Sequence, residues 1–415
     1  MKNLFYTVLL SILTLNLNAQ TTLTEVTPNP SDSRVITTSV PFLMIASDAR
    51  AASMGDMGVA TSVDVYSQHW NPSKYVFSES KSGFGLSYTP YLSKLVNDIS
   101  VGYVTYYNRL NERSAFAASF KYFSLGEIEI IQNEFDEGYK EKPNELTMDL
   151  SYSLRLADQF SMGISARYLR SDLKIQSVDQ TAKAASSFAV DISGYYQGEE
   201  QSYGDIDGRW RGGFNIQNIG PKIKYDESGD ENFLPTNLKL GGGFDFILDS
   251  YNKVSFTAEV VKLLVPTPPI MGVAQDYIDN NENGIYDQDI DDYVGDPYSY
   301  GIYQGQDPNV DFLSGILQSF SDAPGGFNEE LKEFTWALGA EYLYDDSFAI
   351  RAGYFNESED KGARKFLALG AGFKFSGTKI DLSYLFSASN VPSPLENTLR
   401  FSLTFNFGSN QYTEY

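Results

Sequence analysis

Runs of about ten residues in which apolar and polar side chains alternate strictly recur along the chain, and nothing else restricts its fold as severely. The last, 398–407, sets Leu399, Phe401, Leu403, Phe405 and Phe407 on one face against Thr398, Arg400, Ser402, Thr404 and Asn406 on the other. Successive side chains of a strand point to opposite sides, so each run reads as a strand with one oily and one polar face. Residues 146–156 repeat the pattern, with Leu146, Met148, Leu150, Tyr152, Leu154 and Leu156 alternating against Thr147, Asp149, Ser151, Ser153 and Arg155. A water-soluble sandwich alternates too, so periodicity alone leaves sandwich and barrel open.

Number, length and connections separate the two. About fourteen runs lie near 82–89, 98–107, 114–123, 146–156, 160–173, 186–196, 207–217, 237–248, 253–261, 333–344, 348–356, 365–375, 380–386 and 398–407. Each is close to the roughly 9–11 residues that a tilted membrane strand needs. Connections after even-numbered runs are short (108–113, 157–159, 249–252, 345–347, 376–379), whereas those after odd-numbered ones run long, notably 124–145, 218–236 and 262–332. Periplasmic turns alternating with outer loops explain that asymmetry. The predicted fold is an all-β membrane protein, a 14-stranded antiparallel transmembrane β-barrel over 82–407, placed in the cell outer membrane. Tyr88, Tyr91, Tyr106, Tyr107, Tyr195, Tyr196, Tyr342 and Tyr344 near strand ends suit interfacial girdles, with ordinary packing the alternative for some of them.

Composition removes other classes. After the N-terminus no stretch approaches the about 20 apolar residues of a spanning helix. A formal charge of −23 argues against nucleic acid, and zero cysteines exclude disulfides and Cys-ligated metal. Lys2, the apolar run 4–15 and Ala19 read as a cleavable secretory signal over 1–19. Residues 408–415 form a short tail.

Residues 20–81 read as an N-terminal extension and a small helical hatch. Within 40–77, Asp48 is placed to cap a helix through Ala49, Ala51, Ala52 and Ser53 toward Gly55, and small side chains permit close packing against a wall. A fourteen-stranded barrel is too wide for its own side chains to fill, so a plug is expected inside it. Lys121, Arg155, Asp191, Glu259, Glu341, Asp381 and Arg400 fall on inward positions, where they satisfy one another or water. Gly163, Gly194 and Gly241–Gly243 would be strand kinks if the wall opens sideways.

The loop 262–332, about 70 residues, is too long for a passive connection. Its first half is acidic and carries the D-x-N-x-N-G start of a calcium loop: Asp279, Asn281 and Asn283 as side-chain ligands, Ile285 through its carbonyl and Asp287 at the ninth position. Ile290 stands where an EF-hand has Glu, so a solvated acidic turn is the competing reading. No cofactor is required. In the second half Phe312, Leu313, Ile316, Leu317 and Phe320 share one face of a short helix, which either folds back over the barrel mouth or docks a partner. An enzyme would have to use His69, the only histidine, with Ser67 and Asp64; no G-x-S-x-G elbow exists, and His69 reads better as a hydrogen-bonded hatch residue. No catalytic residue is expected.

Pro41-Phe42-Leu43, Ser47-Asp48-Ala49-Arg50-Ala51, Met54-Gly55-Asp56-Met57-Gly58-Val59-Ala60-Thr61 and Gln68-His69-Trp70-Asn71-Pro72-Ser73-Lys74-Tyr75 resemble the N-terminal signature of the PorV (LptO) family. Ser47 stands where that family often has Pro. The architecture is similar to FadL-type barrels with an N-terminal hatch. The resemblance implies a non-enzymatic part in type IX protein secretion: association with the translocon barrel SprA (Sov), capture of exported cargo by its C-terminal signal domain, and delivery to an attachment complex containing the sortase PorU. Outer-membrane lipid and lipopolysaccharide would be its surroundings. A FadL-type transporter of hydrophobic small molecules is the alternative.

Overall fold

The computed structural model describes residues 22–29, 31–92, 98–131, 139–173, 183–226, 229–389, 398–408 and 412; the signal expected at 1–19 lies outside them. Two units emerge, one of residues 1–33 with 268–307 and one of residues 34–267 with 308–415.

In the smaller unit, β1 (Thr22–Pro28) lies in one sheet with two strands of the long loop, named below. In the larger one the chain runs through β2 (Ser82–Pro90), β3 (Ile99–Arg109) and β4 (Ser114–Leu125). A small hairpin, β5 (Ile128–Ile130) and β6 (Tyr139–Glu141), precedes β7 (Asn144–Ala157), β8 (Phe160–Asp172) and β9 (Ala185–Gln197). The two-residue β10 (Gln201–Ser202) leads into β11 (Asp207–Ile219), β12 (Asn237–Ile247) and β13 (Asn252–Leu263). After the loop strands β14 (Ile270–Ile278) and β15 (Asp292–Gln304) come β16 (Phe334–Tyr344), β17 (Phe348–Asn356), β18 (Lys365–Phe375), β19 (Thr378–Ser387) and β20 (Leu399–Phe407).

Leaving out the small β10, successive strands of the large sheet pair antiparallel: β9 meets β11 with Tyr196 opposite Gly212, and β20 returns to β2 with Leu403 opposite Leu86. The sheet therefore closes on itself as a 14-stranded barrel with no free edge, the form in which strands can cross a bilayer with every backbone group paired. Its faces are inverted relative to a water-soluble protein. On β7, Leu150 is 67% exposed while its neighbours Asp149 and Ser151 are buried, and on β20 Phe401 is exposed between buried Arg400 and Ser402. Oily side chains look outward into lipid and polar ones inward.

The turns on one end are tight. Asp345 and Asp346 both adopt positive φ, 52° and 48°, and Ser347 N donates to Tyr344 O at 3.0 Å, closing a left-handed turn that matches the twist of the strands. The long loop is not all irregular. β14 and β15 form a hairpin, and β1 adds to β14 with Val26 opposite Ala274, so residues 22–28 sit in this separate sheet and not in the hatch. Two helices follow, α3 (Phe312–Gln318) and α4 (Phe327–Lys332), numbered after the hatch helices α1 (Ala49–Ser53) and α2 (Ser67–Trp70).

Candidate functional site

The hatch is held to the inner wall by polar contacts that its local sequence prepares. Asp48 caps α1 by accepting from Ala51 N at 2.8 Å, and its other oxygen accepts from Trp70 Nε1 at 2.7 Å, tying the two hatch helices together. Asn71 follows α2; its Oδ1 accepts from Ser73 N at 3.2 Å while its Nδ2 donates to Val59 O and Gly194 O, 2.9 and 3.0 Å away. The Lys74 ammonium donates to Gly58 O at 2.8 Å from a fully buried position.

All seven charged residues expected to face inward are buried, and most of them serve the hatch. Glu259 accepts from Gly58 N and Val59 N, each at 2.9 Å. Lys121 donates to Ile45 O at 2.6 Å, and Arg400 reaches Asp56 at 2.7 Å. Glu341 binds Arg50 and Arg351, and Arg351 donates to Asp381 at 2.8 Å. Asp191 pairs with Arg167 at 3.0 Å, and Arg155 donates to Asp158 O. Inward charges buried in low dielectric persist only when paired in this way.

Strand glycines do different work from the kinks expected of them. The ladder is continuous through Gly212–Gly242, Gly213–Gly241 and Phe214–Gly194, with no gap in the wall there. A Cβ on Gly353 would lie 2.0 Å from Met54 C, and one on Gly213 would lie 2.4 Å from Val59 O, so these positions give the hatch backbone room to approach. Inward glycines near a small-residue segment are the signal that sequence reading passed over.

Two aromatic expectations need correction. Tyr107 and Tyr195 do not join a membrane girdle: they are buried in the lumen, Tyr107 stacked on hatch Tyr75 at 4.6 Å and Tyr195 edge-on to Phe77 at 5.6 Å. Their neighbours Tyr106 and Tyr196 face outward, because adjacent strand residues cannot share a side. His69 is hydrogen-bonded in the hatch through its backbone, its carbonyl accepting from Gln217 Nε2 at 2.6 Å, while among the described residues its buried Nε2 has no partner and its ring packs edge-on against Trp70. Ser67 instead bonds Asp64 at 3.2 Å, whose carboxylate is taken by Arg50 at 2.8 Å, so no triad forms.

Hatch and wall together enclose a cavity of about 270 Å³ with a mixed lining, charged at Arg50, Arg209, Asp245 and Glu341 and apolar at Phe77 and Leu343.

In the loop following β15, Leu313 and Leu317 on α3 are exposed, as is Phe320 just beyond it, while Phe312 and Ile316 are half-buried. The helix packs instead through Gly315, where a Cβ would meet Phe233 Cε1 at 2.6 Å, and through buried Ser319. The apolar face is therefore left open.

Beside it sits a cluster that sequence reading missed. Lys262 donates to Glu333 at 2.6 Å and to Glu330 at 3.1 Å; Lys361 donates to Glu333 at 2.9 Å. Asp322 accepts from Thr267 N at 3.0 Å through one oxygen, and the other is buried without a partner among the described residues. Asp322, Glu330 and Glu333 are near enough to ligate a metal ion, but the Lys262 ammonium already bridges two of them. Burial, then repulsion from Glu330 and Glu333, pushes the Asp322 carboxyl up to about 6 against the hydrogen bond from Thr267.

In the acidic loop, Asp279 accepts from Gly284 N at 2.7 Å, the inward turn that a calcium loop needs. Asn281 and Asn283 turn their amide nitrogens onto Asp287, at 2.6 and 2.7 Å. Asp291, one place beyond Ile290, accepts from Asn280 N and Asp287 N, 2.8 Å each, and so braces the turn.

Among solved structures the chain is similar to the Pseudomonas putida toluene transporter TodX, at 11% identity over 87% of this chain and 97% of that one, with a TM-score of 0.47. It is similar also to the Ralstonia pickettii toluene transporter TbuX, at 12% identity over 88% and 100%, with a TM-score of 0.46. A Pseudomonas aeruginosa FadL homologue matches at 11% identity over 91% and 100%, with a TM-score of 0.40. The barrel itself rests on the strand pairings and not on these likenesses. No curated protein matches. The family model described as type IX secretion system protein PorV matches residues 28–270, more than half of the chain, and the chain belongs to that family, an outer-membrane component of type IX secretion.

Proposed function

We propose that this barrel is a non-enzymatic adaptor, which binds exported cargo through the cargo's C-terminal signal domain at the SprA translocon and carries it to the PorU-containing attachment complex. One observation carries this reading: the lumen is occupied by a hatch fixed by ion pairs, while the α3 segment leaves Leu313, Leu317 and Phe320 uncovered. A plugged barrel with an exposed apolar loop is suited to hold proteins at its surface. A channel for hydrophobic solutes fits less well, because buried ion pairs hold the hatch across the lumen through which a solute would pass.

Affinity purification of the tagged protein from detergent-solubilised outer membranes tests this. A giant barrel or exported C-terminal domains in the eluate support the adaptor. A lone monomer carrying a lipid-like ligand overturns it in favour of the channel.

A further inference from the structure

Among the described residues the sheet of the smaller unit ends in an open edge. Its order is β1-β14-β15, and among the described residues β15 pairs with no strand besides β14. β15 runs for 13 residues, and all but Gly301 are exposed. A strand with one unpaired edge presents a row of free backbone donors and acceptors, which proteins ordinarily blunt with lysines or cover. Pro297, which has no N–H, and three register shifts against β14 interrupt this edge, but no lysine blunts it: from Leu263 to Leu331 the chain has neither Lys nor Arg.

Two further features select the occupant. Tyr293, Tyr298, Tyr300, Ile302 and Tyr303 stand exposed along the strand, Tyr300 at 60%, offering broad amphipathic contact on both faces. Tyr293 donates to Glu25 at 2.7 Å and Tyr298 to Asp276 at 3.2 Å, so carboxylates of β1 and β14 fix these rings beside a negative surface. Asp292 and Asp296 add charge on β15 itself. An acidic, tyrosine-lined edge suits a strand that brings basic side chains.

We propose that β15 is a docking edge for an extended, basic polypeptide segment, which adds to the sheet as a further strand. Backbone hydrogen bonds supply the holding contacts, and Lys or Arg side chains meet the acidic surface. Identifying that segment with exported cargo rests on the adaptor reading above; the open edge does not.

The test uses the full-length protein purified in detergent, with no secretion partner present. The probe is a fluorescein-labelled peptide of about ten residues alternating Lys and Val, long enough to pair along most of the strand. Expected is saturable binding that weakens with salt and drops by about tenfold or more when every internal peptide nitrogen is methylated, because charge and side chains stay while pairing is lost. A peptide alternating Glu and Val should not bind. Ile302→Lys, which sets a blocking charge on the edge, should also weaken binding while the heat-modifiable mobility of the barrel is unchanged. Equal binding of the methylated peptide would overturn the proposal, leaving only charge attraction. So would unchanged binding by Ile302→Lys, or a dimer of this protein that forms through the same edge and excludes the peptide. Because the assay contains no cargo or translocon, its failure leaves the adaptor reading to the membrane purification, and the converse holds.

Discussion

Arg50 of the hatch and Glu341 of β16 meet in a two-pronged ion pair, Nε to Oε2 at 3.0 Å and Nη2 to Oε1 at 2.8 Å, both side chains buried. Removing one side of such a pair leaves a buried charge short of a partner. Glu341→Ala leaves Arg50 with Asp64 alone and Arg351 with Asp381 alone, and should cost about 3–5 kcal/mol. Urea unfolding in lipid vesicles measures it. The double variant Arg50→Met with Glu341→Leu should recover part of the loss, and no recovery would mean that the pair does not hold the hatch.

Gly353 of β17 faces Met54 so closely that any side chain collides with hatch backbone. Gly353→Val should expel the hatch and expose residues 40–77 to protease, with the strands still assembled. Gly212→Ala, where the nearest atom to a Cβ is Gly241 O at 3.9 Å, should leave proteolysis unchanged. Equal protection in both variants would sink the close-approach reading.

The apolar loop face gives a third test. Leu313→Ser, Ile316→Ser and Leu317→Ser together should reduce co-purification of the translocon or cargo by about tenfold, since an apolar face left open on an outer loop marks a partner-binding surface. Barrel assembly should persist, because α3 packs through Gly315 and Ser319. Undiminished co-purification would separate this helix from partner binding.

Asp322 makes the neighbouring cluster sensitive to pH. Its folded value of about 6 lies above the ordinary 3.8, so the folded state holds the proton more tightly and this contribution is complete below about 4. It is lost as pH rises through 6. Glu333, held below its ordinary range because hydrogen bonds from Lys262, Thr267 and Lys361 outweigh its burial, acts in the opposite sense and only under more acidic conditions. Amide exchange over residues 312–333, measured at its intrinsic-rate-corrected value, should be better protected at pH 5 than at pH 7.5. Asp322→Asn should remove that difference, and a persistent difference would assign it elsewhere.

The acidic loop is read either as a calcium site, which would bind at the roughly 0.1–1 mM level of extracellular modules, or as a solvated acidic turn. Binding requires Asn281 and Asn283 to swing their amide oxygens to where their nitrogens now meet Asp287. Calorimetry on the full protein should show a heat that Asp279→Ala with Asp287→Ala abolishes. No heat at millimolar calcium would leave the segment a solvated acidic turn.

The sequence by itself determined the fourteen strands, nearly to their ends, and the alternation of tight turns with long loops. Both are local: side-chain direction alternates residue by residue, so a face that must meet lipid writes its pattern into each run, as Leu399 to Phe407 shows. The inward charges followed from the same period, as did the Asp48 cap from its place before a run of small residues. Only the tertiary structure decided what those groups meet. Tyr106 and Tyr107 are adjacent and equally aromatic, yet one faces lipid and the other stacks on Tyr75. β1 joins β14 across the length of the barrel chain, with Val26 opposite Ala274, and the Lys262 cluster gathers Asp322, Glu330, Glu333 and Lys361 from separate segments. Such contacts join positions far apart in the chain, and no short-range periodicity records which distant partner a buried group will find.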